Sequence, residues 1–260
     1  ERITNKEAIK IEQEKVLKVY EEIARDFDRT RYSAWPTVVT FLNALKATDI
    51  GIDLGCGNGK YLKWLTANRP DMSAPLSCDV CQEFCKIASE VGYETFQANL
   101  IALPIRDESL DYFISIAVIH HFSSEARRGE AIRECIRALR RGGVGLIQVW
   151  AFEQNLKNPS KYISNKQDRP ERALDLDVDT LLPIHHPRTQ FKEQDMLVPY
   201  KGKLIKRLSK THNRYYHLFK ENELEELVRG ITDDVRITES YYEQGNWSIV
   251  LEKKLFELKL

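Results

Sequence analysis

Residues 50–61, Ile-Gly-Ile-Asp-Leu-Gly-Cys-Gly-Asn-Gly-Lys-Tyr, restrict the fold more than any other stretch of the chain. Ile50, Ile52 and Leu54 make a short apolar strand. Gly55, Gly57 and Gly59 make a loop nearly free of side-chain bulk, and Lys60, Tyr61, Leu62, Trp64 and Leu65 open a helix-like run. A strand, a glycine turn and a helix N-terminus form a cradle for a nucleotide-like ligand, because backbone N–H groups can approach it closely.

The sequence around this turn alternates. Strand candidates fall at 50–54, 76–79, 94–98, 111–117 and 144–150, with helical runs at 60–66, 81–91 and 125–140 between most of them. That order predicts an α/β fold, a parallel sheet with helices on both faces. Upstream, Ile9, Val16, Leu17, Tyr20, Ile23 and Phe27 share one face of a helix over 5–28, and Pro36 suits the first turn of a second helix ending near Leu45. Residues 153–213 are polar, proline-bearing and aperiodic, and read as a long insertion. Regular structure resumes at Tyr215–Phe219, followed by a helix over 221–229. Strands at 235–242 and 246–252 then flank Gln244-Gly245, the spacing of a hairpin, which adds an antiparallel strand to the sheet.

Composition excludes several functions. No apolar run approaches the ~18–20 residues of a membrane span. The charged, helix-patterned start does not resemble a signal peptide. Lys plus Arg and Asp plus Glu both number 39, so any nucleic-acid contact needs a local basic patch. Five cysteines, an odd number, fit free thiols better than a disulfide framework. Neither Cys78, Cys81 and Cys85 nor His185-His186 has the spacing of a metal site, and no metal is expected.

The acids beside the glycines select the ligand. Asp53 precedes the first glycine by two residues and would repel a diphosphate, whereas a cofactor carrying a sulfonium and an ammonium group would be welcome there. Asp79, at the end of the second strand, can accept both hydroxyls of a ribose. The pair suits S-adenosylmethionine better than a nicotinamide dinucleotide. Asn99 ends the third strand, where a side-chain oxygen can accept from an adenine amino group or close a turn before Leu100. The cofactor contacts on this reading are Asp53, Gly55, Gly57, Asn58, Gly59, Asp79, Asn99, Leu100 and Ala117.

Ligands of open α/β sheets lie beyond the C-terminal strand ends. The fourth strand leads to His120-His121, and sequence alone does not say which of the two faces the acceptor and which packs inward. Arg127 and Arg128 fall in the first turn of the next helix, where cations oppose the helix dipole and an anionic ligand would explain them. Arg31, Tyr32 and Trp35 combine a cation with two aromatics in one loop, a set that stacks a base and holds a phosphate or carboxylate. Between Tyr200 and Arg214 stand Lys201, Lys203, Lys206, Arg207, Lys210 and Arg214 without an acid, followed by Tyr215 and Tyr216. This is the best local nucleic-acid patch on a neutral chain.

Several of these segments together resemble one family. Val19-Tyr20-Glu21-Glu22-Ile23-Ala24, the Thr30–Pro36 loop, Gly55–Leu62, Ile114–Ser123 with its His-His-Phe-Ser, Trp150-Ala151-Phe152-Glu153-Gln154, Arg214–Leu218 and Asn246-Trp247 are similar to the eukaryotic tRNA wobble-uridine carboxymethyl methyltransferases. These are of the tRNA methyltransferase 9 type, a class I S-adenosylmethionine-dependent group. The resemblance implies one Rossmann-like methyltransferase domain over 1–260 with a seven-stranded, mostly parallel sheet. Its parts are N-terminal helices over 1–48, a cofactor-binding core over 49–152, the insertion over 153–213 and the C-terminal part of the sheet over 214–260. It implies transfer of a methyl group to the carboxylate of 5-carboxymethyluridine at wobble position 34. His121 and Arg128 then match positions implicated in activity, and Arg31 a substrate-side arginine. His120, Tyr32, Trp35, Arg127, Lys206, Arg207 and Arg214 are assigned to substrate. Expected partners are the tRNA anticodon arm and a small zinc-binding methyltransferase activator subunit forming a heterodimer, in the cytoplasm or also the nucleus. Asn99 in place of the usual acid, and Glu125 where a base is common, depart from the family pattern.

A carboxylate acceptor is already ionised at neutral pH, since carboxyl pKa values lie near ~4, so no general base is required. The enzyme has to orient the oxygen and shed its water. In the implied strand order the third strand is an edge, and Phe96, Leu100, Ile101, Leu103 and Ile105 make it apolar, which invites an added strand. A small-molecule or protein methyltransferase on the same fold, and a binding paralogue without turnover, are the competing readings.

Overall fold

The structure, a computed structural model, describes residues 3–30, 33–154, 174–200, 202 and 212–255. Strand β1 (Gly51–Leu54) lies at the centre, parallel to β2 (Leu76–Asp79) on one side and to β4 (Leu110–Ile116) on the other. Strand β3 (Thr95–Gln97) pairs parallel with β2, and β5 (Leu139–Trp150) parallel with β4. The hairpin of β10 (Val235–Glu243) and β11 (Asn246–Lys253) joins β5 antiparallel through β11. The seven-stranded order is β10-β11-β5-β4-β1-β2-β3, with β3 at one edge. The hairpin closes through Gln244 and Gly245, both at positive φ (46° and 85°), which matches the twist of paired strands.

Burial explains the placement. All four residues of β1 are buried, as a strand covered on both faces requires. Ile50 lies just outside it, 58% exposed, so the strand starts one residue later than its apolar pattern suggests. Gly51 takes the first position because the Tyr112 ring lies where a Cβ would stand, 2.2 Å away. Along β4 the side chains alternate between two cores. Tyr112, Ile114 and Ile116 pack with Val38, Phe41 and Leu42 of α3 (Pro36–Ala44) and with Tyr61 and Leu65 of α4 (Lys60–Asn68). Phe113 packs on the opposite face with Ile132 and Cys135 of α6 (Glu125–Ala138) and Leu224 and Val228 of α7 (Glu223–Ile231). Helix α5 (Gln82–Glu90) follows β2. All five cysteines are buried free thiols.

The N-terminal helix is continuous but irregular. Helix α1 (Asn5–Glu12) starts in a capping box, with Glu7 Oε2 accepting from Thr4 N at 2.8 Å. A π-helical turn (Gln13–Leu17) then leads into α2 (Lys18–Asp28).

The aperiodic insertion is corrected over its described part. Strands β6 (Asp175–Leu176), β7 (Pro183–Ile184), β8 (Asp195–Tyr200) and β9 (His212–His217) form a second sheet in that order. Residues 214–217 therefore extend this small sheet and not the large one. Strand β8 escaped the pattern because it is covered on both sides: Met196 and Val198 pack with Phe191 and Tyr216, and Leu197 with Ile11 and Val16 of the N-terminal helix. Lys15 ties that helix to the second sheet through Asp177 at 2.7 Å.

Candidate active site

One cavity of about 920 Å³ lies beyond the C-terminal ends of the large sheet, walled also by α1, α2 and the second sheet. Its first half is built on the glycine turn. The N–H groups of Gly55 and Cys56 both donate to the Cys78 carbonyl, at 2.8 and 3.0 Å, which folds the turn back over β2. Gly55 (φ 79°) admits no side chain, since a Cβ would stand 2.3 Å from Val118 Cγ2. Gly57 (φ 53°) faces open space, leaving bare backbone to meet a ligand. The Asp79 carboxylate braces the turn, accepting from Gly57 N and Cys81 N at 2.9 Å each. Each oxygen keeps a second lone pair for a ribose hydroxyl. Burial pushes Asp79 up to about 6 against the pull of these N–H donors.

Asp53 has no such donors. It is 2% exposed, and its Oδ2 is buried without a hydrogen-bond partner. Burial raises it to about 7, with Lys60 pulling it down and Asp79 pushing it up. A buried carboxylate in that position is costly unless a cation faces it, so the donor set fits a ligand with a positive end. Asn58, Asn99, Leu100 and Ala117 line the same half, Ala117 in a left-handed conformation (φ 62°). The Asn99 side-chain oxygen accepts from Ile101 N at 3.1 Å, so it closes its own turn. Gly59 is not part of the wall and starts α4 at φ 69°. Val80, Cys81 and Phe84 also line this half, though nothing in their local pattern marked them.

The second half holds a chain of polar groups among aromatics. His121 Nδ1 meets the Tyr215 carbonyl at 2.9 Å, and a carbonyl only accepts, so the proton sits on Nδ1. Nε2 is then an acceptor, 3.0 Å from the Tyr20 hydroxyl. Arg214 Nη1 donates to that hydroxyl at 3.2 Å. Burial holds His121 down at about 3, with the Arg214 charge acting in the same direction, so the ring is neutral. The Arg214 guanidinium is 4% exposed and lies 5.7, 5.2 and 5.1 Å from the ring centres of Tyr20, Tyr200 and Tyr216. The sequence places Arg214 in a surface basic run; the structure turns it inward beside His121.

Two expected site residues point elsewhere. His120 is 1% exposed, accepts from Trp150 N at 3.2 Å and stacks on Tyr216 at 4.7 Å, so it packs inward and does not meet the cavity. Arg128 donates to the Phe122 carbonyl at 3.0 Å and lies over the Phe219 ring, away from the wall. A helix turns by about 100° per residue, so Arg127 and Arg128 cannot face the same way. Arg127 does line the cavity, with its fork on Glu12 at 2.8 and 2.6 Å. Trp35 lines it too. Arg31, Tyr32, Lys206 and Arg207 lie outside the described residues.

Among the described residues no group of three or more His, Cys, Asp or Glu is arranged to hold a metal, and no helix is long and apolar enough to cross a membrane.

The geometry agrees with what the chain resembles among known proteins. A family model described as a methyltransferase domain matches residues 52–147. The chain is 38% identical over 307 residues to the tRNA (carboxymethyluridine(34)-5-O)-methyltransferase ALKBH8 of Macaca fascicularis, across 96% of this chain and 45% of that protein. The chain thus spans less than half the length of that curated relative. It is also 38% identical over 245 residues to the tRNA (carboxymethyluridine(34)-5-O)-methyltransferase of Schizosaccharomyces pombe, across 94% of this chain and 99% of that one. Among solved structures, a chain of the complex between the Haloferax volcanii Trm112 methyltransferase activator and a methyltransferase shares the fold. The TM-score is 0.59 at 14% identity, covering 93% of this chain and 99% of that chain. Glycine turn, strand order and kinship over nearly the whole chain agree, and this protein belongs to the tRNA (carboxymethyluridine(34)-5-O)-methyltransferase family.

Proposed function

We propose that this chain transfers a methyl group from S-adenosylmethionine to the carboxylate of 5-carboxymethyluridine at position 34 of tRNA, forming the methyl ester. The observation that carries this reading is charge placement within one cavity: a buried unpartnered carboxylate, Asp53, in the glycine half and a buried guanidinium, Arg214, in the other. The first suits a cationic donor and the second an anionic acceptor.

S-adenosylmethionine, when bound, supplies an electrophilic methyl group on a positively charged sulfur. Asp53 and the bare backbone of Gly57 would hold it, and Asp79 would receive its ribose. Arg214 orients the acceptor carboxylate. Its charge is shared with three tyrosine faces and the Tyr20 hydroxyl, which keeps it from gripping the attacking oxygen too hard. Neutral His121 fixes Tyr20 and takes no proton in the reaction. Tyr20, Tyr216, Phe84 and Trp35 exclude water, so the carboxylate sheds its hydration on entry.

Strand β3, at the sheet edge, is where an activator subunit would add its own strand. The Haloferax relative of this fold is described in complex with such an activator. The decisive test is methyl transfer from labelled cofactor to tRNA taken from cells lacking the ester, with chain and activator co-purified. Label appearing as a base-labile ester on the wobble uridine supports the reading. A cofactor-competent complex that labels no tRNA, or labels only an amine or hydroxyl, removes it.

A further inference from the structure

The cavity wall carries two carboxamides whose orientation is set by the backbone. Gln154 is 2% exposed, and its Nε2 donates to the carbonyls of Ala151 at 2.7 Å and Gly245 at 3.0 Å. Two carbonyl oxygens can only accept, so the end facing them is the NH₂ group. Oε1 therefore points away from them, is bonded by no described residue and is not among the sealed, unsatisfied atoms. Asn246, 4% exposed, repeats the arrangement: Nδ2 donates to the Glu243 carbonyl at 3.1 Å and leaves Oδ1 without a described partner. Both residues line the cavity. They belong to the stretch after β5 and to the start of β11, two strands on the far side of β4 from the glycine turn, so they border the acceptor half.

We infer that Gln154 and Asn246 form an acceptor-only edge that reads the ring N–H of the target base and selects uracil against cytosine. The inference rests on the uridine methyl-ester reading above. Uracil offers one ring donor, N3–H, whereas cytosine offers a lone pair at N3 and its donor one position along, at N4. A carboxamide free to rotate could serve either base. These two cannot rotate without losing their bonds to the β10–β11 turn. With the C5 arm held beside Arg214 and His121, the ring cannot slide to bring N4 to the oxygens. The cytosine N3 lone pair is left against an acceptor. A site that hydrogen-bonds a substrate N–H rejects the analogue lacking it far more strongly than shape alone does.

The test uses chain plus activator and two anticodon stem-loops, carrying 5-carboxymethyluridine or 5-carboxymethylcytidine at the wobble position. The wild-type complex prefers the uridine form by at least about tenfold in kcat/KM. Gln154→Met lowers kcat/KM on uridine and brings the ratio towards one, with calorimetric cofactor affinity unchanged. Asn246→Ala shifts the ratio in the same direction and serves if Gln154→Met does not fold. Equal use of both stem-loops by the wild type overturns the inference while leaving the methyl-ester reading intact. So does a preference that survives in both variants. A wild type that methylates neither stem-loop removes the methyl-ester reading and this inference with it.

Discussion

At the scale of single residues, two charges divide the work. Asp53 carries a pKa raised to about 7 against an ordinary carboxylate near ~3.9. A group raised on folding stabilises the protein fully below its unfolded value, and that contribution is lost as pH rises through the folded value. Without ligand, stability therefore falls from about pH 4 to about pH 7, because Asp53 ionises readily in the unfolded chain but stays protonated when buried. A cationic cofactor needs the ionised form. Its affinity is expected to rise with pH and level off above about 7, falling roughly tenfold per unit below it, with Asp79 adding a step near 6. Calorimetry across this range checks it. Asp53→Asn removes the upper step, weakens cofactor binding and raises the ligand-free melting temperature. His121, held at about 3, stays neutral, so turnover at saturating cofactor and tRNA is expected to be flat between about pH 6 and 9, and a steep base-dependent rise would contradict the mechanism. Arg214→Gln removes the acceptor-side charge. It should cost about a hundredfold or more in methyl transfer with cofactor affinity kept, which separates the two halves by kinetics and calorimetry on one variant.

At the scale of elements, the N-terminal helix is a wall of the site as much as an appendage. It supplies Glu12, Val16 and Tyr20 to the cavity and is clamped at Glu12, which takes both arms of the Arg127 fork and the Ser123 N–H at 3.0 Å. Glu12→Ala leaves Arg127, only 10% exposed at its side chain, without its carboxylate. The expected loss is about 2–3 kcal/mol, read by urea unfolding, with faster hydrogen exchange in α1. This level also shows what sequence can reveal. The strand–helix alternation was legible because β1, β2 and β4 are short and largely apolar and helices separate most of the strands, whereas β5 begins at Leu139, ahead of its apolar run over 144–150, because Arg140 to Gly143 carry no strand pattern. The hairpin was legible from Gln244-Gly245. The second sheet was not, because β8 is apolar on both faces over 196–198 and β6 and β7 are two residues each. The placement of Asp53, Gly55, Gly57 and Asp79 on one cavity wall could be read from the sequence, because all four are local to two strand ends. The acceptor half could not be ordered. Which of two adjacent histidines or arginines faces a cavity depends on helical phase and on distant partners such as Tyr20, Trp150 and Phe219.

At the scale of the whole molecule, one of the sheet's two edges is β3, whose Phe96 and the following Ile101 are half covered while Leu100 and Leu103 are buried. Such an edge favours a partner strand or self-association. Co-expression with the activator should convert an aggregation-prone chain into a soluble heterodimer and slow amide exchange in Thr95–Gln97; a lone chain that stays monomeric and binds cofactor at full affinity would count against this. The breadth of the cavity wall has a different consequence. Its lining runs from Ile9 to Asn246, so the ligand sees nearly every part of the chain at once. During synthesis on the ribosome the glycine turn emerges early, yet Arg214, Tyr216 and Gly245 are still untranslated. Completion of the half around Arg214 is therefore tied to translation through residue 246, and a stalled nascent chain carries the turn without the walls that close over it.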